Sequence, residues 1–74
     1  MEQLDLYIEA LIFASEVPIN SEEIRNCLDA AFKMEFSKRE IDSILERLQM
    51  KYAADHFSFE LAAIGNGYQF LTKS

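Results

Sequence analysis

Few side chains in this sequence carry the chemistry for catalysis or metal binding: one histidine, His56, one cysteine, Cys27, and thirteen carboxylates. A metal site usually needs three or four ligands, and His56 has no Cys or His partner at ligand spacing. It reads as a loop histidine. Cys27 falls on the apolar stripe of a helical segment, where a buried cysteine behaves as a small hydrophobe and stays inert. Paired catalytic acids need a cleft that shifts their pKa values, and a chain of 74 residues has little room for one. Gly65-Asn66-Gly67 is no phosphate loop, because it turns between two strands and opens no helix. The sequence therefore predicts no catalytic, cofactor-binding or metal-ligating residue, and a protein that is not an enzyme.

The charge balance narrows the partners. Thirteen acidic residues oppose seven basic ones, for a formal net charge of −6. Nucleic-acid binding draws much of its affinity from Lys and Arg that neutralise phosphates. Unless the bases cluster, this surface repels DNA. No apolar run approaches the roughly 20 residues of a membrane span. No secretory signal is expected either, since Glu2 and Asp5 stand where a positive n-region would be. A lone cysteine cannot close an internal disulfide, which fits a reducing cytoplasm.

The elements that must position these residues follow from periodicity. Residues 3–16 predict a first helix, with Leu4, Ile8, Leu11, Ile12 and Ser15 on its buried face. Pro18 stops it and pushes Val17 toward extended geometry, so that Val17 to Ile19 forms a short strand. Asn20 with Glu23 is a capping box for a second helix from Ser21 to about Phe32. Its apolar face is Ile24, Cys27, Leu28 and Ala31, and Lys33 suits the helix dipole in the last turn. Met34 to Phe36 connects, and Met34 and Phe36 are expected to cap the bottom of the core, the alternative being an exposed pair beside the third helix. Ser37 with Glu40 is a second capping box, opening a third helix from Lys38 to about Ala54. Ile41, Ile44, Leu45, Leu48 and Tyr52 share one face of it.

After His56 the period becomes two. Phe57, Phe59, Leu61 and Ala63 fall on one side of a strand, Ser58, Glu60, Ala62 and Ile64 on the other. Gly65-Asn66-Gly67 marks a tight turn, and Tyr68 to Lys73 returns. The order is helix, short strand, helix, helix, strand, turn, strand. That predicts an α+β domain over residues 1–74: a winged helix of three helices and a C-terminal β-hairpin wing.

Three stretches resemble the segregation and condensation protein B family. The opening, Ile8-Glu9-Ala10-Leu11-Ile12-Phe13-Ala14-Ser15-Glu16-Val17-Pro18-Ile19, is similar to the family's first helix, acidic residue and proline. Leu45-Glu46-Arg47-Leu48-Gln49 followed by Tyr52 resembles the end of its third helix. Leu61 through Lys73, with Gly65-Asn66-Gly67-Tyr68-Gln69-Phe70, resembles its wing. The chain departs from the family pattern at His56-Phe57-Ser58 and at Asn66, which splits a glycine pair. The resemblance implies two winged-helix domains in tandem, of which residues 1–74 are the first. It also implies a homodimer that binds the kleisin subunit, segregation and condensation protein A, and through it the SMC ATPase. Its location would be the cytoplasm, at the nucleoid.

Independently of the family, the first helix is apolar on more than its core side. Leu6, Ala10, Phe13 and Ala14 lie opposite the buried stripe, with Tyr7 on the boundary, and Glu2, Asp5, Glu9 and Glu16 form a polar strip. A helix that covers a core on one side is expected to be polar elsewhere, so the extra face predicts an association surface. The alternative is that the wing or the third helix folds over Phe13 and Leu6. For function, the alternative to an adaptor is a winged-helix transcriptional regulator. The third helix would then read a DNA groove, yet its outward residues Arg39, Glu40, Asp42, Ser43, Glu46, Arg47, Gln49 and Met50 roughly cancel in charge. The wing's polar reach is Gln69 and Lys73, with no Arg.

Overall fold

A computed structural model describes residues 2–73 of the chain, with side chains from residue 3 onward; Met1, Ser74 and the side chain of Glu2 lie outside the described residues. Three helices are followed by a β-hairpin: α1 (Glu2–Ala14), α2 (Ser21–Phe32), α3 (Lys38–Tyr52), β1 (Phe59–Ile64) and β2 (Gly67–Thr72).

Helix α1 buries Leu4, Ile8 and Ile12, spaced four residues apart, with Leu11 half-buried beside them. It ends two residues before the expected position. The Ser15 N–H bonds the Ile12 carbonyl at 3.2 Å in a tighter turn, and the Ser15 hydroxyl donates to the Val17 carbonyl. A side chain that bonds its local backbone competes with the helix, and Pro18 prevents resumption.

Both expected capping boxes form. In each, the cap side chain accepts the N3 backbone N–H while the N3 glutamate accepts the cap N–H: Asn20 with Glu23, and Ser37 with Glu40. Two orphan donors are satisfied at each helix start. Helix α2 buries Ile24 and Leu28. Cys27 is only half-buried and Ala31 is exposed, so the α2 core stripe is narrower than its periodicity implies. Lys33 is not in the last helical turn; it is the C-cap, in left-handed conformation at φ 54°. Of the connector pair, Phe36 caps the core and Met34 stays exposed. The Phe36 N–H bonds the Asp29 carboxylate at 2.9 Å and fixes the turn into α3.

Helix α3 buries Ile41, Ile44, Leu45, Leu48 and Tyr52 and ends at Tyr52, with Ala53 as its C-cap. The first strand begins at Phe59 and not Phe57, because residues 54 to 57 close a turn in which the Phe57 N–H bonds the Ala54 carbonyl at 3.2 Å. The two strands pair antiparallel from Phe59 opposite Thr72 to Ile64 opposite Gly67. Leu61 is buried, Phe59 and Phe70 are half-buried beneath it, and Ala63 is exposed. The expected strand after α1 is a single bridge. Ile19 and Tyr68 exchange both backbone bonds, at 3.0 and 2.8 Å, and tie the wing to the chain between α1 and α2.

Gly65 carries φ +57° at the first central position of a two-residue hairpin loop, while Asn66 does not take positive φ. That is the type II′ pattern, which matches strand twist. Gly67 is needed for a different reason: a Cβ there would sit 2.9 Å from both the Ile19 nitrogen and the Pro18 carbonyl carbon. The bridge can approach the wing only over a bare backbone.

Candidate protein-interaction face

The exposed side of α1 is a stripe set by helix geometry. Leu6, Ala10 and Phe13 follow i, i+4, i+7 spacing, opposite the buried Leu4, Ile8 and Ile12; Val17 lies beyond the helix end. Leu6 is 61%, Phe13 48% and Val17 65% exposed. Ala10 and Ala14 are exposed too.

The five residues singled out by sequence do not act alike. Leu6, Ala10 and Phe13 share the stripe, and Ala14 lies beside it. Tyr7 turns away: its ring meets Phe32 of α2 edge-on at 5.4 Å, and it is half-buried. Phe13 has one ring face stacked on Phe70 of the wing at 3.9 Å and 9°, and stands edge-on to Phe59 at 5.0 Å. The wing therefore covers half of Phe13 and none of Leu6. Behind Phe13 the cluster continues through Tyr52, whose ring lies 5.0 Å from Phe70 and 4.6 Å from Phe57.

Val17 escaped the sequence reading because it was assigned to a strand after the helix. Helical spacing does not place it, since α1 ends at Ala14. The wing's outer face adds Ile64 and Leu71, 37% and 41% exposed. Strand alternation placed Ile64 there; Leu71 needed the register, in which it faces Glu60.

Leu6 lies on a groove of about 380 Å³ between α1 and α3, lined by Asp5, Leu6, Glu9, Arg47, Leu48 and Lys51. Two ion pairs cross it: Arg47 to Asp5 at 2.9 Å and Lys51 to Glu9 at 3.1 Å. The hydrogen bond from Lys51 to Glu9 holds the ammonium above its ordinary pKa, against a smaller opposing effect of burial. Burial pushes the Tyr52 phenol up, and the neighbouring Glu9 carboxylate pushes it the same way.

These pairs engage two of the cations on α3. Arg47 was expected to point outward; it is bound to Asp5 of α1. Lys38 is paired with Asp42 at 3.3 Å. The two side chains expected to give the wing its polar reach, Gln69 and Lys73, are likewise turned onto the chain itself. Gln69 donates to the Glu16 carbonyl at 3.2 Å and Lys73 to the Ala54 carbonyl at 2.6 Å. A groove reader needs such bases free to displace counterions. His56 is exposed in the turn before β1, its ring 4.3 Å from that of Phe57. Among the described residues no group of three His, Cys, Asp or Glu side chains is placed to hold a metal ion. Among them, too, no helix is long and apolar enough to cross a membrane.

The chain matches the family model described as segregation and condensation complex subunit ScpB over residues 6–74. No curated protein shows a significant match. Among solved structures, a conserved hypothetical protein from Chlorobium tepidum is 33% identical with a TM-score of 0.73; the match covers 97% of this chain and 42% of that one. This chain thus spans less than half the length of that relative. A dimer of ScpB N-terminal domain complexed with ScpA peptide is 22% identical with a TM-score of 0.80, covering 97% of this chain and 77% of that one. The likeness establishes the winged-helix fold.

Proposed function

The chain belongs to the family of segregation and condensation complex subunit ScpB, and on that premise we propose that it is a non-enzymatic adaptor domain that dimerises and binds the kleisin subunit ScpA. Through the kleisin it would join the SMC ATPase in condensing and segregating the chromosome, in the cytoplasm at the nucleoid. Residues 1–74 are then the first of two winged-helix domains. The single observation that carries the association reading is the α1 stripe of Leu6, Ala10 and the open half of Phe13, with Val17 exposed just past the helix. An apolar row of this kind on a small domain marks a contact surface. The relative with a bound ScpA peptide supports the choice of partner by analogy.

Light scattering on the eluting chain tests the dimer. The expected mass is twice that of the 8.6 kDa chain, reduced to one copy in Leu6→Glu with the helical circular dichroism unchanged. Titration with ScpA peptide is expected to give saturable binding. A monomer at high micromolar concentration, together with no uptake of the peptide, would remove the reading.

A further inference from the structure

We propose that the two ion pairs across the α1–α3 groove permit this acidic chain to self-associate through α1: Arg47 and Lys51 neutralise Asp5 and Glu9, the carboxylates bordering the stripe, so that a second copy can lie against Leu6 and Ala10. The inference rests on the homodimer reading and names its electrostatic requirement.

A two-fold contact presents the same patch on both sides, so every charge near the axis meets its own kind. Asp5 precedes Leu6 and Glu9 precedes Ala10 in sequence, so both carboxylates border the stripe. Left bare, they would bring four negative charges into one contact between chains that each carry −6. Like charges juxtaposed at an interface cost several kcal/mol. The pairs remove that cost inside each chain. The carboxylates are also the covered members, with side chains 28% and 13% exposed, while Arg47 and Lys51 are 51% and 48% exposed. Each pair is thus neutral as a unit at the edge of the stripe. A basic partner would seek free carboxylates here and would meet Arg47 and Lys51 instead. In a two-fold contact this internally neutralised patch meets its own copy, so chains of net charge −6 can approach there without opposing bare carboxylates.

The experiment is sedimentation equilibrium at moderate ionic strength on the 74-residue chain and its variants. The double variant Arg47→Gln, Lys51→Gln uncovers the acids and is expected to raise the dimer Kd about tenfold or more; adding Asp5→Asn and Glu9→Gln is expected to return it to within about threefold of the parent. Exposed ion pairs contribute only about 0–1 kcal/mol to folding, so the variants keep their fold, which circular dichroism checks. Should the double variant unfold, Arg47→Gln alone is expected to raise Kd about threefold on the same argument. A dimeric parent whose folded variants keep its Kd overturns this inference and leaves the dimer standing. A monomeric parent overturns the dimer reading and this inference with it.

Discussion

The two glycines of the wing turn do different work, and single substitutions separate them. Gly65 needs a left-handed φ and has open space around its Cα, so an alanine pays only backbone strain, about 1–2 kcal/mol. Gly67 has an ordinary φ and no space. Its Cβ would push on Pro18 and Ile19 backbone at 2.9 Å. Gly67→Ala is expected to cost about 1–3 kcal/mol by overpacking and to loosen the Ile19–Tyr68 bridge, read as faster exchange of the Tyr68 amide. Urea midpoints measure both variants, and a neutral Gly67→Ala would mean that the bridge gives way freely. Lys51 and Tyr52 set the alkaline limit. Both have folded pKa values raised above the unfolded 10.5 and 10.0, through the Glu9 bond and through burial respectively. In the fold each group therefore holds its proton to higher pH. Their stabilisation is complete below about pH 10 and declines as pH rises through the raised values. Unfolding midpoints taken between about pH 8 and 11.5 are expected to fall in that window. In Glu9→Gln the Lys51 part of the decline disappears and the Tyr52 burial part remains.

At the scale of elements, Phe13 belongs to two structures at once. Half of it is the clamp between α1 and the wing, and half is open surface. Phe13→Ala is expected to cost about 1–2 kcal/mol, less than the 3–5 of a fully buried Phe, because much of the ring is already hydrated. Leu6→Glu, with no wing contact to lose, is expected to change stability by less than about 0.5 kcal/mol. Thermal unfolding of the two variants checks the ranking, and equal losses would mean that Leu6 is packed. This division also explains what the sequence disclosed. The helices were legible because caps and periodicity are local: Asn20–Glu23 and Ser37–Glu40 fix two helix starts within four residues each. Helix ends were less legible, since the Ser15 hydroxyl bond and the Ala54–Phe57 turn override the pattern. The stripe was visible as apolar excess. What spacing did not reveal was that Tyr7 would turn to Phe32, or that Arg47 and Lys51 would reach back 42 residues to Asp5 and Glu9. Those are long-range contacts, and no window along α1 or α3 contains both partners.

For the whole molecule, size is the governing fact. The chain is 19 Å across its thinnest direction, room for two helix layers at 8–10 Å spacing and no more. The described residues supply no third layer over the outer side of α1, so within this domain Leu6 and Ala10 stay in water, and a second copy is the cover proposed for them. A domain this small also buries only about 60% of its unfolded surface and has little stability in reserve. Association that favours the folded state then stabilises it by mass action. The transition temperature is therefore expected to rise with protein concentration. Small domains gain about 4–8 °C per kcal/mol, and a hundredfold concentration range spans about 2.7 kcal/mol in the two-chain term, shared between two copies. The shift expected is thus several degrees, measured by scanning calorimetry from micromolar to hundreds of micromolar. Leu6→Glu is expected to flatten that dependence while matching the parent at the dilute end, where both are single chains. A parent whose transition temperature does not move with concentration would mean that the stripe meets nothing but water.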